Sequence, residues 1–187
     1  VSIDEVLKEE RWDYVITQQA SHDSGWMVTY EPFLGLLLEH VKAQLKQSSP
    51  QAEILLQETW AYEMDSAHPN FMRYHRNQEE MYERLKKCYY TMAEKYSLRL
   101  IPSGDIIQKA RQQKPFHVPS GGVSLCRDGF HMSLSYGRYL LACVWMKTLF
   151  SVSAVGNPYV PEAEDGAEKA EEALLDRIRQ IVDEGME

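Results

Sequence analysis

The sequence predicts an α/β fold in which helices cover both faces of an open, mostly parallel sheet. Three short β-rich runs, residues 12–18, 54–56 and 98–102, are each followed by a helical pattern. The apolar centres of these runs are continuous, as is usual for strands that are buried on both faces. Strand–helix alternation of this kind gives parallel strands joined by crossover helices. A chain of 187 residues is long enough for one such domain.

The first half of the chain contains two of these strands and the helices around them. Ser2 and Glu5 form a capping-box pattern, which predicts a short helix that ends near Arg11, before the first strand. Pro32 stands where the next helix should begin, because proline is favoured at the first helical position. That helix should end before Pro50. Its apolar face has helical spacing and consists of Phe33, Leu34, Leu37, Leu38, Val41 and Leu45.

The second half continues the alternation. Apolar residues at helical spacing predict a helix over residues 77–96, and Ser103 should cap a shorter helix after the third strand. A Pro- and Gly-bearing loop then leads to a helix through residues 139–150. We expect the α/β domain to span residues 1–161. Residues 162–187 should form an acidic tail that ends in an amphipathic helix.

Charge and hydropathy argue against two classes of function. The formal net charge is −8, whereas a nucleic-acid binder needs a basic face, so no nucleic-acid partner is expected. The longest apolar run, residues 139–146, is much shorter than the about 20 residues that span a bilayer. No membrane span is therefore expected. Removal of an upstream signal peptide would make the protein secreted or periplasmic, and the compartment is otherwise left open.

Cysteines and histidines give no cofactor signature. Cys88, Cys126 and Cys143 are an odd set without a C-x-x-C pair, which argues against a disulfide framework and against a zinc knuckle. The histidines match no zinc spacing, and no glycine motif for phosphate or dinucleotide binding occurs. We therefore expect neither a metal nor another cofactor. Cys88 and Cys143 fall on apolar helix faces and should be inert core residues.

Polar residues that follow the strands indicate the expected site, because open parallel sheets bind ligands beyond the carboxyl ends of their strands. The first strand is followed by Gln19, Ser21 and His22. Their side chains can donate hydrogen bonds to a developing oxyanion, or they can simply close a local turn. The second strand is followed by Trp60, which can stack on a sugar ring or pack against a helix.

Two Asp-x-x-His patterns are candidates for a base that is oriented by a carboxylate. In such a pair the carboxylate binds Nδ1 and fixes the tautomer, which leaves Nε2 free to accept a proton. Asp128 and His131 stand after the last strand and before a packed helix, where a catalytic and a structural role are both open. Asp65 and His68 have the same spacing, and we interpret them as an exposed loop pair.

A set of motifs occurs in a fixed order along residues 7–161. The motifs are Trp12-Asp13-Tyr14-Val15, Gln18-Gln19-Ala20-Ser21-His22, Gln57-Glu58-Thr59-Trp60-Ala61-Tyr62, Ile101-Pro102-Ser103-Gly104, Leu125-Cys126-Arg127-Asp128-Gly129-Phe130-His131, Tyr136-Gly137-Arg138-Tyr139 and Ser153-Ala154-Val155-Gly156-Asn157. Together they resemble the SGNH/GDSL hydrolase superfamily, and more closely an uncharacterised SGNH-like family of gut bacteria. The last block of the superfamily, D-x-x-H, matches Asp128 and His131.

The resemblance implies a flavodoxin-like three-layer sandwich and Ser-His-Asp chemistry, with Asp128 and His131 as the catalytic pair. The third block of the superfamily falls on residues 20–23, where His22 stands in place of the asparagine that donates to the oxyanion. Gln19 is a second candidate donor. The first two blocks, which carry the nucleophilic serine and an oxyanion glycine, have no counterpart here, so the first strands are expected to be missing from this chain. The serines at positions 21, 24, 103 and 133 do not have the context of the nucleophile.

Two functions follow from this pattern. The first is an SGNH-type ester hydrolase that acts on O-acyl groups of carbohydrates and whose serine is not present in this chain. This polypeptide alone is then expected to be inactive. The second is a catalytically inactive protein that binds a glycan or another ligand in the same cleft. The exposed edge of a thin sheet also predicts pairing with another copy of the chain, which would give a homo-oligomer, or with a separate fragment.

Overall fold

The computed structural model describes residues 1–162 and 169–186. Within these residues, helices and strands alternate along the chain. The order is α1 (Ile3–Glu9), β1 (Tyr14–Thr17), α2 (Phe33–Ser48), β2 (Glu53–Gln57), α3 (Gln78–Tyr96), β3 (Arg99–Ile101), α4 (Ser103–Arg111), α5 (Tyr136–Phe150) and α6 (Glu172–Gly185). Short 3-10 helices cover Met27–Thr29, Pro69–Tyr74 and Val118–Ser120.

The three strands form one parallel sheet in the order β1-β2-β3. Tyr14 lies opposite Glu53, and Leu55 lies opposite Arg99, so β2 is the central strand. Parallel neighbours need a crossover connection, and α2 and α3 supply the two crossovers. The predicted parallel α/β architecture is therefore confirmed.

Alternate strand residues point to opposite faces of the sheet, and each face has its own apolar core. Val15, Ile54 and Leu56 pack on the side of α1, α2 and α3. Leu55 and Ile101 pack on the side of α4, α5 and α6. The molecule thus has three layers, with one layer of helices on each side of the sheet.

The helix cap that the sequence predicts is observed at α1 but not at α4. The backbone N–H of Ser2 donates to the Glu5 carboxylate at 2.6 Å, and the Glu5 N–H donates to Ser2 Oγ at 3.2 Å, which confirms the capping box. The expectation that Ser103 caps α4 is wrong, because Ser103 is the first helical residue and its Oγ accepts from Gln57 Nε2 at 2.8 Å. Glu58 Oε2 accepts the Asp105 N–H at 2.9 Å instead, so a carboxylate after β2 takes the capping role.

Glu58 is fully buried at the carboxyl end of β2. Burial, together with the negative charge of Asp105, raises the pKa of Glu58 to about 8, although the Asp105 N–H and the nearby Lys86 act in the opposite direction. The carboxyl group is consequently protonated in much of the folded population at neutral pH.

Glu58 should make stability depend on pH. Its folded-state pKa of about 8 exceeds the usual value of about 4.3 for an unfolded glutamate, so the folded chain holds the extra proton between these values. The stabilising contribution is fully present below the lower pKa and is lost as the pH rises through the higher one. We expect the free energy of unfolding to fall by up to about 1.4 kcal/mol per pH unit in this window.

Urea denaturation of the wild type and Glu58→Gln from pH 4.5 to pH 8.5 measures this slope. Glutamine does not titrate, so the variant should show a flatter profile than the wild type. Glu39→Gln, at an exposed position of α2, is the control for the loss of a glutamate and should keep the wild-type slope. Equal slopes in the wild type and Glu58→Gln would contradict the expectation.

Helix α6 packs into the core on the side of α4 and α5. Leu175, Ile178, Ile181 and Val182 are buried there. The Arg179 side chain is also buried, and its Nε donates to the Tyr139 hydroxyl at 2.7 Å. The acidic start of the predicted tail, residues 163–168, lies outside the described residues. None of the described helices has the length and apolar character that crossing a bilayer requires.

Candidate active site

Three loops meet beyond the carboxyl ends of the strands. The loop after β1 contacts the loop after β2 where the hydroxyls of Ser21 and Tyr62 lie 3.0 Å apart. The loop after β2 contacts the hairpin before α5, because Trp60 Nε1 donates to the Phe130 carbonyl at 2.7 Å. The fold therefore brings segments together that are far apart in the chain, at the position expected for a ligand site in a parallel sheet.

Asp128 and His131 form a bonded pair at the tip of the hairpin. Nδ1 of His131 lies 2.7 Å from Oδ2 of Asp128. The other carboxylate oxygen accepts the backbone N–H of His131 at 2.7 Å and that of Phe130 at 3.2 Å. Burial alone raises the pKa of Asp128, but the hydrogen bonds from His131 and Phe130 outweigh this and lower it to about 2. The carboxylate is thus ionised at neutral pH and can accept only.

This pairing fixes the tautomer of His131. An ionised carboxylate can only accept, so Nδ1 carries the hydrogen and Nε2 of the neutral ring has the free lone pair. Within the part of the chain that the structure describes, Nε2 of His131 has no hydrogen-bond partner. The His131 side chain is 56% exposed. The ring can therefore accept a proton from a group that approaches from outside the described residues.

Local backbone geometry builds this turn. Cys126 and Met132 form an antiparallel bridge, and the Arg127 N–H donates to the His131 carbonyl at 2.9 Å. Gly129 lies in the turn between Arg127 and His131, and its φ of +84° is a backbone conformation that favours glycine. A Cβ at Gly129 would also lie 2.9 Å from the backbone of Ser66. Glycine is thus required both by the turn and by the close approach of the neighbouring loop.

A buried ion pair supports the loop beneath the hairpin. Glu63 donates its N–H to the Gly129 carbonyl at 2.7 Å. The Glu63 carboxylate lies 3.1 Å from Arg111 Nη2, and the two side chains are only 5% and 4% exposed. Arg111 also donates to the Ala61 carbonyl at 2.7 Å and to Cys126 Sγ at 3.2 Å. Arg111 therefore ties α4 to two of the three loops of the site, namely the loop after β2 and the hairpin before α5.

Gln19 is turned away from the meeting point of the loops. Its Nε2 donates to the carbonyl of Thr29 at 2.8 Å and lies 3.2 Å from the Thr29 hydroxyl. Its Oε1 accepts the N–H of Ala20 at 2.8 Å. Both ends of the amide are thus engaged within the loop that follows β1. In this arrangement Gln19 shapes the loop rather than offering a free donor.

His22 lies at the site and is held by its neighbours. Its Nε2 is 3.3 Å from Oδ2 of Asp23, and Asp23 is also paired with Arg73. The His22 carbonyl accepts from Arg73 at 3.2 Å and from the Tyr74 hydroxyl at 2.9 Å. These contacts fix the backbone of the loop, and the imidazole faces the ring of another histidine that the sequence did not select.

That histidine is His68. Its ring centroid lies 6.4 Å from that of His22 with an interplanar angle of 20°. It also lies 4.7 Å from Tyr62 and 4.7 Å from Phe130. Phe130 in turn lies 4.2 Å from His131. Five rings therefore form a continuous group, which we call the ring cluster: His22, Tyr62, His68, Phe130 and His131.

The interpretation of Asp65 and His68 as an exposed loop pair fits only Asp65. Asp65 is exposed, whereas His68 is partly buried and its Nδ1 accepts the Asn70 N–H at 3.2 Å. His68 is thus the N-cap of the 3-10 helix that starts at Pro69. The spacing of His68 from Asp65 suggested a local partner, but its surroundings come from segments that are distant in sequence.

An open apolar groove of about 470 Å³ lies beside the site. It is lined by Leu141, Trp145 and Leu149 of α5 and extends to Gln18 and Trp60 at the carboxyl ends of β1 and β2. Among the described residues, no strand pairs with the side of β1 that faces away from β2. The groove and this free strand edge together form an uncovered surface next to the site.

The described residues contain neither a reactive cysteine nor a cluster of side chains that could bind a metal ion. All three cysteines are buried and free, and burial raises the pKa of Cys126 to about 12 and that of Cys143 to about 11. Such thiols stay protonated and unreactive at neutral pH. Within residues 1–162 and 169–186, no three His, Cys, Asp or Glu side chains are placed to hold a metal ion.

Comparison with known protein families identifies the chain. The model of the domain of unknown function DUF4886 matches residues 1–175. The chain belongs to the DUF4886 family. No match is found among curated proteins.

Solved structures extend this result. A crystal structure of a DUF4886 family protein from Bacteroides uniformis ATCC 8492 is 29% identical, with a TM-score of 0.83 over 97% of this chain and 64% of that one. This DUF4886 chain therefore spans about two thirds of the length of that relative. A protein from Slackia heliotrinireducens described as a "putative SGNH hydrolase" aligns with a TM-score of 0.53 and 22% identity, over 77% of this chain and 69% of that one. The predicted SGNH-like α/β fold is thereby confirmed.

Proposed function

We propose that this DUF4886 chain carries the acid–base half of an SGNH-type ester hydrolase. The observation that carries the proposal is the bonded pair of Asp128 and His131, whose Oδ2 and Nδ1 are 2.7 Å apart. Asp128 holds the imidazole in the tautomer that leaves Nε2 as the acceptor. His131 would then take the proton of a serine hydroxyl as the serine attacks the ester carbonyl, and Asp128 would stabilise the resulting imidazolium.

The nucleophilic serine is proposed to come from a segment outside this chain. The free edge of β1 and the apolar groove along α5 offer a place where an additional strand and helix would pack. The carboxyl end of a strand paired in parallel with β1 would lie close to Gln18 and Trp60, which line the groove. The greater length of the Bacteroides uniformis relative is consistent with such a segment. Pairing of this edge with a second copy of the chain is the competing proposal.

Esters of carbohydrates are the proposed substrates. Phe130 and Trp60, both partly exposed, present flat aromatic surfaces beside His131, and such surfaces stack on the apolar faces of sugars. The alternative function is binding of a glycan without catalysis. It is favoured by one observation, namely that Nε2 of His131 meets no hydroxyl within the described residues.

Hydrolysis of p-nitrophenyl acetate and of an acetylated oligosaccharide tests the proposal. We expect the full gene product to hydrolyse both and residues 1–187 alone to hydrolyse neither, because no serine of residues 1–162 and 169–186 lies at Nε2 of His131. Turnover by residues 1–187 that depends on His131 would contradict the proposed origin of the nucleophile. Binding of the oligosaccharide by the full product with its acetyl groups left intact would instead support the alternative function.

A further inference from the structure

We propose that His68 is a hydrogen-bond donor of this site, which offers Nε2–H to the acyl oxygen of a bound ester. The inference rests on the proposed function and adds to it a residue that the motifs do not mark. Three observations support it: the hydrogen bond that fixes the His68 tautomer, the free state of Nε2, and the position of the ring between His22 and the hairpin that carries His131.

The tautomer of neutral His68 follows from its role as a helix cap. The N–H of Asn70 donates to Nδ1 of His68 at 3.2 Å. A ring nitrogen that accepts a hydrogen bond carries no hydrogen, so in the neutral ring the hydrogen is on Nε2. Within residues 1–162 and 169–186, no group accepts from that Nε2–H. The ring thus presents an oriented donor without a protein partner.

The surroundings of His68 keep the ring neutral. The ring packs between Tyr62 and Phe130, each 4.7 Å away between centroids. Partial burial lowers the pKa of His68, and electrostatic interaction with the His22 and His131 imidazoles lowers it further, while Asp128 acts in the opposite direction. A neutral donor stabilises a developing oxyanion without competing with His131 for the transferred proton.

The position of His68 suits this role better than that of the donors suggested by the sequence. The amide of Gln19 is engaged by Thr29, at 2.8 Å from its carbonyl. The Nε2 of His22 lies 3.3 Å from the carboxylate of Asp23. His68 has no such engagement at Nε2, and Phe130 connects it to the base His131 through ring contacts of 4.7 and 4.2 Å.

Nuclear magnetic resonance of the ¹⁵N-histidine-labelled full gene product tests the proposal, with acetate as the probe because it is the product of an acetyl ester. We expect His68 to carry its hydrogen on Nε2 at pH 7.5. Added acetate should shift the ring signals of His68 and His131 with one common affinity. His117, a partly exposed histidine outside the ring cluster whose Nδ1 lies 2.8 Å from Ser120 Oγ, should not shift.

The variant His68→Asn separates donation from capping. Asparagine is a favourable N-cap residue and can still accept the Asn70 N–H, but its shorter side chain does not bring the amide N–H₂ to the position of the imidazole Nε2. We expect an unchanged melting temperature, loss of the acetate response at His131 and a fall in kcat for p-nitrophenyl acetate of at least about tenfold, as for removal of an oxyanion donor. His68→Ala should in addition lower the melting temperature.

The possible outcomes distinguish the two proposals. If acetate shifts His131 but not His68, or if the His68 hydrogen is on Nδ1, the inference about His68 is overturned and the proposed function stands. If acetate shifts neither ring, both are overturned. If His68→Asn retains the wild-type kcat in an active enzyme, His68 is only a structural cap.

Discussion

His131→Ala in the full gene product should lower kcat/KM for p-nitrophenyl acetate by about 10²- to 10⁴-fold, which is the usual contribution of a general base. Without the imidazole, the proton acceptor that Asp128 orients is lost, and the proposed serine hydroxyl is a poor nucleophile on its own. The loss should fall mainly on kcat, because the ring acts on the reacting hydroxyl. Stability should change little, since the His131 side chain is 56% exposed.

Two further variants serve as controls for the effect of His131→Ala on kcat/KM. His117→Ala removes a partly exposed histidine whose Nδ1 contacts Ser120 outside the ring cluster, and it should leave kcat/KM unchanged. Asp128→Asn keeps the size of the side chain but removes the charge that holds Nδ1–H, so it should also reduce kcat. If His131→Ala retained more than about a tenth of wild-type activity, a base with the strength expected from mutational series would be ruled out at this position.

Arg111→Met should destabilise the fold by about 3–5 kcal/mol, the range found when one partner of a buried ion pair is removed. Arg111 and Glu63 are only 4% and 5% exposed, with Nη2 and Oε1 3.1 Å apart. Loss of the guanidinium leaves the Glu63 carboxylate buried without its cation. It also removes the hydrogen bonds to the Ala61 carbonyl and to Cys126 Sγ, which hold two of the three loops of the site.

Urea denaturation followed by circular dichroism measures this effect. Arg99→Met is the matched control, because Arg99 pairs with Glu53 at 2.6 Å with both side chains more than a third exposed. An exposed pair contributes at most about 1 kcal/mol. The double variant Arg111→Met/Glu63→Gln should be more stable than the sum of its single changes predicts, because no unpaired charge remains. Equal losses for Arg111→Met and Arg99→Met would show that the buried pair is not essential to the fold.

Sequence patterns predicted those parts of the fold that depend on neighbouring residues. The apolar run at residues 54–56 became the central strand, and the spacing of apolar residues predicted the helix over Gln78–Tyr96 to within one residue. The capping box of Ser2 and Glu5 also formed as predicted. The cap of α4 was predicted incorrectly, because the buried Gln57 occupies the hydroxyl of Ser103 and Glu58 reaches the helix from another strand.

The sequence likewise predicted only those contacts of the candidate site that join residues close together in the chain. Asp128 and His131 are three residues apart, so their contact could be inferred from the local turn. His68 could not be recognised in this way, because Tyr62 and Phe130 lie next to it only in the folded chain. The sequence indicates Gln19 as a second candidate donor to the oxyanion, but the loop folds back so that Thr29 binds its amide.

The sequence alone determined the alternation of strands and helices, the bracing of an imidazole by a nearby acid, and the similarity to one hydrolase superfamily. These properties depend on residues a few positions apart, for which the backbone period and local hydrogen bonds are decisive. Only the tertiary structure decided which rings surround His131, which charges are buried together, and which edge of the sheet is left uncovered. Such contacts join distant segments, and they depend on how the helices pack against the sheet rather than on any local pattern.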